Sequence, residues 1–345
     1  MLKTQQNFKI LILTGIFPPD IGGAAGYAKN LKDEFLKRGY ESKTIFYKIE
    51  KRLPVIIRHL FYFFRVIFNI RRLDLMIALD TLSVGLPSLT AALLFRKKII
   101  VRVSGDFLWE SYIEKSGELI TLEQFYKDVP LFSVKEKLIF FLTKFVLNNS
   151  SAVVFTTEWQ RNIFKKPYNL EKMEQKKKIY VVENFYGNKI QDSGFQEKNF
   201  LWAGRSLKLK NLEILKSAFN EAQKEYNLIK LEISEKTFHN ELIKKIQNCY
   251  AVIQPSLSDV SPNFILEAIR ANKPFILTKE TGLFERLRNI GLFIDPLNRG
   301  DLKNKILFLA NDKNYFEYKE KIASFNFFHS WAEIANEFLT IYKNL

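Results

Sequence analysis

The stretch Ala251-Val-Ile-Gln-Pro-Ser-Leu-Ser-Asp-Val-Ser-Pro-Asn-Phe-Ile-Leu-Glu-Ala-Ile-Arg270 sets out the unit from which the chain is built. Its first four residues are a short, largely apolar run of the kind that forms a strand buried on both faces, and Pro255-Ser256 ends it. Ser261 followed by Pro262 predicts a helix start, with a side-chain acceptor at the cap and proline at the first helical position. Strand, loop and helix in this order place Asp259 and Glu267 at the carboxyl end of a parallel sheet, where such sheets bind ligands. The helix N-terminus offers N–H groups to an anion, and Glu267 can accept two hydrogen bonds from a vicinal diol such as a ribose. Ser261 and Asn263 stand at the helix entry as further donor-binding candidates. The competing reading is an exposed loop acid plus a Glu267–Arg270 ion pair on an ordinary helix.

Two other strand-to-helix turns add to this one. In Phe200-Leu-Trp-Ala-Gly-Arg-Ser-Leu-Lys-Leu-Lys-Asn-Leu212 an apolar strand ends at Gly204, and a helical pattern begins at Leu212. Arg205 and Lys210 between them suit a diphosphate, the first as a bidentate fork and the second as a point charge. Lys208 reads as an ordinary surface cation. In Thr14-Gly-Ile-Phe-Pro-Pro-Asp-Ile-Gly-Gly-Ala-Ala-Gly26 the paired Gly22 and Gly23 let backbone N–H groups approach a phosphate closely. Their spacing is neither that of the dinucleotide fingerprint nor that of the P-loop.

These residues, in this order, resemble the family 4 glycosyltransferases of the GT-B fold. The matching stretches are Phe17-Pro-Pro with Gly22-Gly23, Gly204-Arg205 with Lys210, and Pro255-Ser with Asp259 and Glu267-Ala268. Also similar are Gly105-Asp106-Phe-Leu-Trp109-Glu110, Val182-Glu-Asn184, Lys273-Pro-Phe-Ile-Leu-Thr278, Thr281-Gly282-Leu-Phe-Glu285 and the closing segment from Ser330-Trp-Ala-Glu-Ile-Ala to Tyr342. The chain departs from the family in four places. Asp259 replaces the first glutamate of the paired acids, and Asn211 replaces the glycine after the diphosphate lysine. The stretch from Ile233 to Cys249 is short, and Ser104-Gly105-Asp106 lies where many members carry a histidine.

The resemblance implies a retaining, metal-independent transfer of a sugar from a nucleotide-diphosphate sugar to a hydroxyl acceptor, as in polysaccharide, glycolipid or other cell-envelope glycan synthesis. Arg205, Lys210, Asp259 and Asp106 are the implied catalytic candidates; Gly22, Gly23, Ser261, Asn263 and Glu267 are the donor-binding ones. Asp106 positions the acceptor or assists proton transfer in this reading, and caps a turn in the alternative one. The rival functions are a GT-B nucleotide-sugar-binding module of weak activity and a GT-B epimerase or phosphorylase. No bound cofactor or metal is expected, the nucleotide sugar being the donor substrate. The three histidines (His59, His239 and His329) lack metal-ligand spacing.

A chain of 345 residues with 47% hydrophobic content is expected to form two domains. Apolar strands alternate with helical patterns along its length. The expected architecture is α/β: two doubly wound, parallel-sheet, Rossmann-like domains facing across a cleft, as in GT-B proteins. Residues 1–185 form the acceptor-side domain, 186–198 a linker, 199–326 the nucleotide-sugar domain, and 327–345 a helix packing back toward the first domain. Cys249 is the only cysteine, so no intramolecular disulfide forms, and a reducing compartment fits. No signal-peptide pattern is seen, and the expected location is cytoplasmic, with peripheral contact at the inner face of the cell membrane.

The net charge of +16 bears on partners. Residues 51–72 interleave Arg58, Arg65, Arg71 and Arg72 with aromatic and β-branched residues, the composition of an interfacial helix on an anionic membrane. The alternative is a core-covering helix whose arginines reach out to water. Polyanionic or lipid-linked acceptors would exploit the same charge. No nucleic-acid motif accompanies it, so no nucleic-acid partner is expected.

Overall fold

In a computed structural model, which describes residues 8–128 and 131–345, the chain forms two compact units. The first contains residues up to 108, 131–184 and 330–345; the second contains 109–128 and 185–329. The elements in chain order are β1 (Lys9–Thr14), α1 (Gly23–Lys37), β2 (Glu41–Phe46), α2 (Val55–Ile70), β3 (Leu75–Ala78), α3 (Gly85–Leu94) and β4 (Ile99–Val103). Then come α4 (Phe107–Ser116), α5 (Leu122–Lys127), α6 (Val134–Asn149), β5 (Ala152–Phe155), α7 (Glu158–Lys165), α8 (Glu171–Gln175) and β6 (Ile179–Val181). The remainder is β7 (Lys198–Gly204), α9 (Leu212–Glu225), β8 (Ile229–Glu235), α10 (His239–Asn248), β9 (Ala251–Gln254), α11 (Asn263–Arg270), β10 (Phe275–Thr278), α12 (Phe284–Leu287), β11 (Leu292–Ile294), α13 (Arg299–Ala310), α14 (Asp312–Ser324) and α15 (Trp331–Lys343).

Each unit is built on one parallel sheet. The first has the order β2-β1-β3-β4-β5-β6 and the second β11-β10-β9-β7-β8. Strands β3, β4, β5, β9 and β10 are buried at every residue, as sheets covered on both faces require. One face of the first sheet, with Leu11, Leu13, Met76 and Val101, packs on Tyr62, Val66 and Ile70 of α2, on Leu89 and Ala92 of α3, and on Val146 of α6. On α1, Tyr27 stacks over Arg102 of β4 and meets Trp331 of α15 edge-on. Arg38 at the end of α1 also donates to the Ala332 carbonyl at 2.7 Å.

In each sheet the strand order reverses once. The reversal lies between β1 and β3 in the first unit and between β7 and β9 in the second. A crevice opens outside the carboxyl ends of two strands whose connections leave to opposite faces.

Two boundaries differ from the sequence-based expectation. Residues 109–128, placed with the first domain by their position in the chain, cluster with the second unit. The Ser258 hydroxyl accepts from the Leu122 N–H at 2.9 Å, and the Glu114 carboxylate accepts from the Lys208 N–H at 2.7 Å. The expected linker 186–198 is anchored to the second unit as well. Tyr186 is buried in that unit's core and exchanges backbone hydrogen bonds with His329. Asp192 pairs with the fully buried Lys273 and with Lys319. Burial works to raise the Asp192 pKa, but the two ammonium groups hold it below the usual carboxylate value.

Candidate functional site

The carboxyl ends of β7 and β9 carry the densest set of expected site residues. Gly204 ends β7, Arg205 follows, and Lys208–Lys210 form a single 3-10 turn. The next residue, Asn211, is buried in the left-handed conformation (φ 59°, ψ 33°), which a β-substituted residue other than asparagine or aspartate adopts at a cost. Its amide donates to the Pro255 carbonyl at 3.1 Å and to the Pro296 carbonyl at 2.7 Å. Asparagine thus meets the conformational demand that glycine meets elsewhere, and ties the lysine loop to the loop after β9. A backbone bond from Leu257 N–H to the Leu209 carbonyl at 2.9 Å reinforces the tie.

This tie brings Lys210 to Asp259. The ammonium lies 2.7 Å from Oδ2, and the Gln254 side-chain amide donates to the same oxygen. The Asp259 N–H donates to the Glu280 carbonyl at 2.9 Å, which aligns the loop with the end of β10. Glu280 has a raised pKa, chiefly from burial and then from the neighbouring Glu123 carboxylate of α5. Arg205 is exposed, and its guanidinium has no ion pair among the described residues. Lys208, expected as a surface cation, is exposed and donates through Nζ to the Glu114 carbonyl at 3.1 Å.

Helix α11 begins one residue later than expected: Pro262 occupies the cap position and Asn263 is the first helical residue, so Ser261 lies outside the helix. The reason is local. Proline has no N–H and its φ of −69° suits either position, while its ψ of 105° keeps it extended. Ser261 and Asn263 still flank the N-terminus of α11, one on each side of Pro262.

Glu267 does not pair with Arg270. Arg270 turns away, donating to the Asn188 carbonyl at 2.9 Å and stacking over Phe185. Glu267 instead meets His239, the first residue of α10, with Nε2 at 2.6 Å from Oε1. That bond raises the His239 pKa above its ordinary value, with burial and Arg270 acting in the opposite direction. Sequence reasoning missed His239 as a partner of Glu267 because the two meet only when α10 packs against α11.

The remaining candidates belong to the first unit. Gly22 caps α1 with φ 147° and ψ 155°, a backbone that side-chain-bearing residues rarely adopt, and Gly23 opens the helix exposed. Asp106 is buried and accepts from the Leu108 N–H at 2.9 Å, so it takes the capping role at the start of α4. Asp80, after β3, holds the turn that leads into α3: Oδ1 accepts from Val84 N–H at 2.9 Å and Oδ2 from the Ser83 hydroxyl at 2.6 Å.

No protein-family model matches the sequence, and no curated protein matches it by sequence comparison. Solved structures do match the fold. Sucrose-phosphate synthase from Thermosynechococcus elongatus superposes with a TM-score of 0.69 at 13% identity, covering 97% of this chain and 98% of that one. The catalytic domain of Starch Synthase IV from Arabidopsis thaliana, bound to ADP and acarbose, gives 0.62 at 10% identity over 98% and 99%. A putative UDP-N-acetylglucosamine 2-epimerase from Listeria monocytogenes gives 0.61 at 13% identity over 98% and 96%. The chain therefore has a GT-B-like fold of two parallel-sheet α/β units, similar to those of glycosyltransferases and of a putative sugar-nucleotide epimerase.

Proposed function

We propose that the protein is a retaining glycosyltransferase of the family 4 kind, moving a sugar from a nucleotide-diphosphate sugar to a hydroxyl acceptor. The observation that carries the reading is the charge arrangement at the β7/β9 crevice: Lys210 held at 2.7 Å by Asp259, with the exposed Arg205 in the same loop. Lys210 has two ammonium protons left after its bond to Asp259, and both can reach phosphate oxygens. Arg205 supplies a planar fork for the same group. As the bond from the anomeric carbon to the diphosphate oxygen breaks, its electron pair stays with the phosphate. The acceptor oxygen bonds to that carbon on the same face, and its proton passes to the departing phosphate oxygen. Fixed cations stabilise this developing charge without reorganising, so the proposal includes no metal cofactor.

In this reading Glu267 exchanges His239 for the ribose diol, and the N-terminus of α11 beside Ser261 and Asn263 faces the phosphates. Asp259 orients Lys210 and approaches the sugar hydroxyls. The glycine-lined N-terminus of α1 is an anion-binding end in its own right. The work of Asp106 is to hold the start of α4, near which an acceptor would bind. A lipid-linked acceptor at the cytoplasmic face of a membrane would bring residues 51–72 against an anionic bilayer.

The reading is tested by incubating the protein with uridine, guanosine and adenosine diphosphate sugars and an acceptor mixture, then following nucleotide release. Release that falls by orders of magnitude in Lys210→Ala supports transfer. The fold shared with a putative epimerase supports a second reading. Conversion of a nucleotide sugar to its epimer without acceptor would establish it.

A further inference from the structure

Helix α2 has two opposite faces, and only one is used by the fold. Tyr62, Val66 and Ile70 are fully buried on the sheet. On the other side Ile56, Leu60, Phe64 and Phe68 follow one another at four-residue spacing, which aligns them as one ridge. Ile56 is 82% and Phe68 84% exposed. Neighbouring helices continue the surface. Helix α3 packs between α2 and α6 on the same face of the sheet. It exposes Leu93 and Leu94, and α6 exposes Leu138 and Phe141. Exposed apolar side chains on three adjoining helices mark an interaction site rather than the scattered exposure of ordinary surfaces.

The charge around this face has one sign. Helix α2 contains no acid, α3 contains no charged residue, and the single acid of α6, Glu136, is buried at its capping box. The expected basic edge of α2 is corrected by the structure in one respect. Arg58 donates to the carbonyls of Glu50, Lys51 and Leu53, and Arg65 pairs with the buried Glu50, so both hold the turn before the helix. Lys51 is likewise paired, with Asp20. The cations left for a partner are Arg52, Arg71 and Arg72 at the ends of α2, Arg96 after α3, and Lys135 and Lys137 on α6. All six are exposed, and their side chains have no acidic partner among the described residues.

We propose that the α2–α3–α6 face docks on an anionic lipid bilayer, with the apolar ridge entering the acyl boundary and the ring of cations meeting lipid phosphates. This deepens the peripheral-membrane part of the function proposed above, and it involves only the first unit. An apolar stripe bordered by cations is what lies in the plane of such a surface. No described helix is long and apolar enough to cross a membrane.

The test is sedimentation of the full chain with vesicles of phosphatidylcholine and phosphatidylglycerol, compared with phosphatidylcholine alone. Wild type is expected on the anionic vesicles at low salt and largely released at high salt. The combined Ile56→Ser, Leu60→Ser, Phe64→Ser and Phe68→Ser variant is expected to bind about tenfold more weakly or worse. Arg71→Glu with Arg72→Glu is expected to weaken binding by a similar factor and flatten its salt dependence. Unchanged thermal melting, together with unchanged nucleoside diphosphate binding, shows that either variant is folded. Absence of wild-type retention at low salt, equal retention on neutral vesicles, or unaltered retention of the variants overturns the proposal. A dimer in sedimentation equilibrium that the serine variant abolishes, with no vesicle binding, assigns the face to a second copy instead and also overturns it. Vesicle binding requires no nucleotide sugar, so its failure and the failure of transfer are separate results.

Discussion

The two order-reversal crevices share a topology and differ in what happens to their charges. In the first unit, between β1 and β3, nearby acids are absorbed by the fold: Asp80 holds the turn into α3 and Asp20 pairs with Lys51. Asp106, beyond the neighbouring β4, caps α4. In the second unit, between β7 and β9, Lys210 and Asp259 hold each other across two loops, and Arg205 stands exposed without an ionic partner among the described residues. One crevice uses its polar groups to finish helices; the other concentrates cations at a place that topology opens to a ligand. Topology alone therefore does not say which crevice does chemistry. Under the proposed function, the fate of each charge makes that distinction.

Removing a cation from the second crevice is the strongest way to break this contrast. Lys210→Ala or Arg205→Ala should lower turnover by about 10² to 10³ with the fold intact, the usual loss for one preorganised charge-stabilising donor. Turnover within about twofold of wild type in the double variant, measured by nucleotide release, would put the two crevices on an equal footing.

Next in size is the tie that positions Lys210. Asn211→Ala loses two buried hydrogen bonds at about 1 kcal/mol each and places alanine in the left-handed region at about 1 kcal/mol more. Urea unfolding should show a loss of about 3 kcal/mol. Asn211→Gly, which tolerates the backbone, should lose about 2 kcal/mol. Equal losses for the two variants would remove the conformational part of the account.

Glu267→Gln should weaken nucleoside diphosphate binding about tenfold, since an amide accepts less strongly from a diol than a carboxylate does. The same site has a pH signature. His239 gains a partner on folding and has a raised pKa, so the stability from its bond to Glu267 is fully present below the ordinary histidine pKa and is lost as pH rises through the raised value. Arg270 is the other charged group that acts on it. In the proposed site nucleotide would compete with the imidazolium for Glu267, so affinity should rise by a few-fold across that window and become pH-independent in His239→Ala. A flat profile in wild type would contradict the competition.

The smallest effect belongs to the first crevice's side of the comparison. Asp106→Ala should cost about 1 kcal/mol of stability as a lost cap and leave turnover within about threefold. A hundredfold fall in turnover would return Asp106 to the chemistry.

Much of this architecture was legible in the sequence, and the reason is physical. Strand β9 occurs where the sequence places it, Ala251–Gln254, because a short apolar run ended by proline has few alternatives to a buried strand. What stayed hidden depends on residues distant in the chain. His239 reaches Glu267 from another helix, and Lys273 anchors Asp192 from within the core. Arg58 and Arg65 read as a basic edge until the buried Glu50 is seen to engage them. Asn211 looked like a departure from a glycine position, yet its conformation is the one glycine serves, and its amide adds bonds that glycine lacks. Residues 109–128 follow β4 in sequence but bond to the loops after β7 and β9 through Lys208 and Ser258, and no local pattern announces that.

The most direct test is calorimetric titration of the full chain with uridine, guanosine and adenosine diphosphates, in wild type and in the Arg205→Ala/Lys210→Ala double variant. Saturable binding of at least one nucleotide at a single site, weakened about a hundredfold or more in the variant, is the expected result. Equal affinity in the two proteins, or no binding of any of the three to wild type, would contradict a diphosphate site at the β7/β9 crevice.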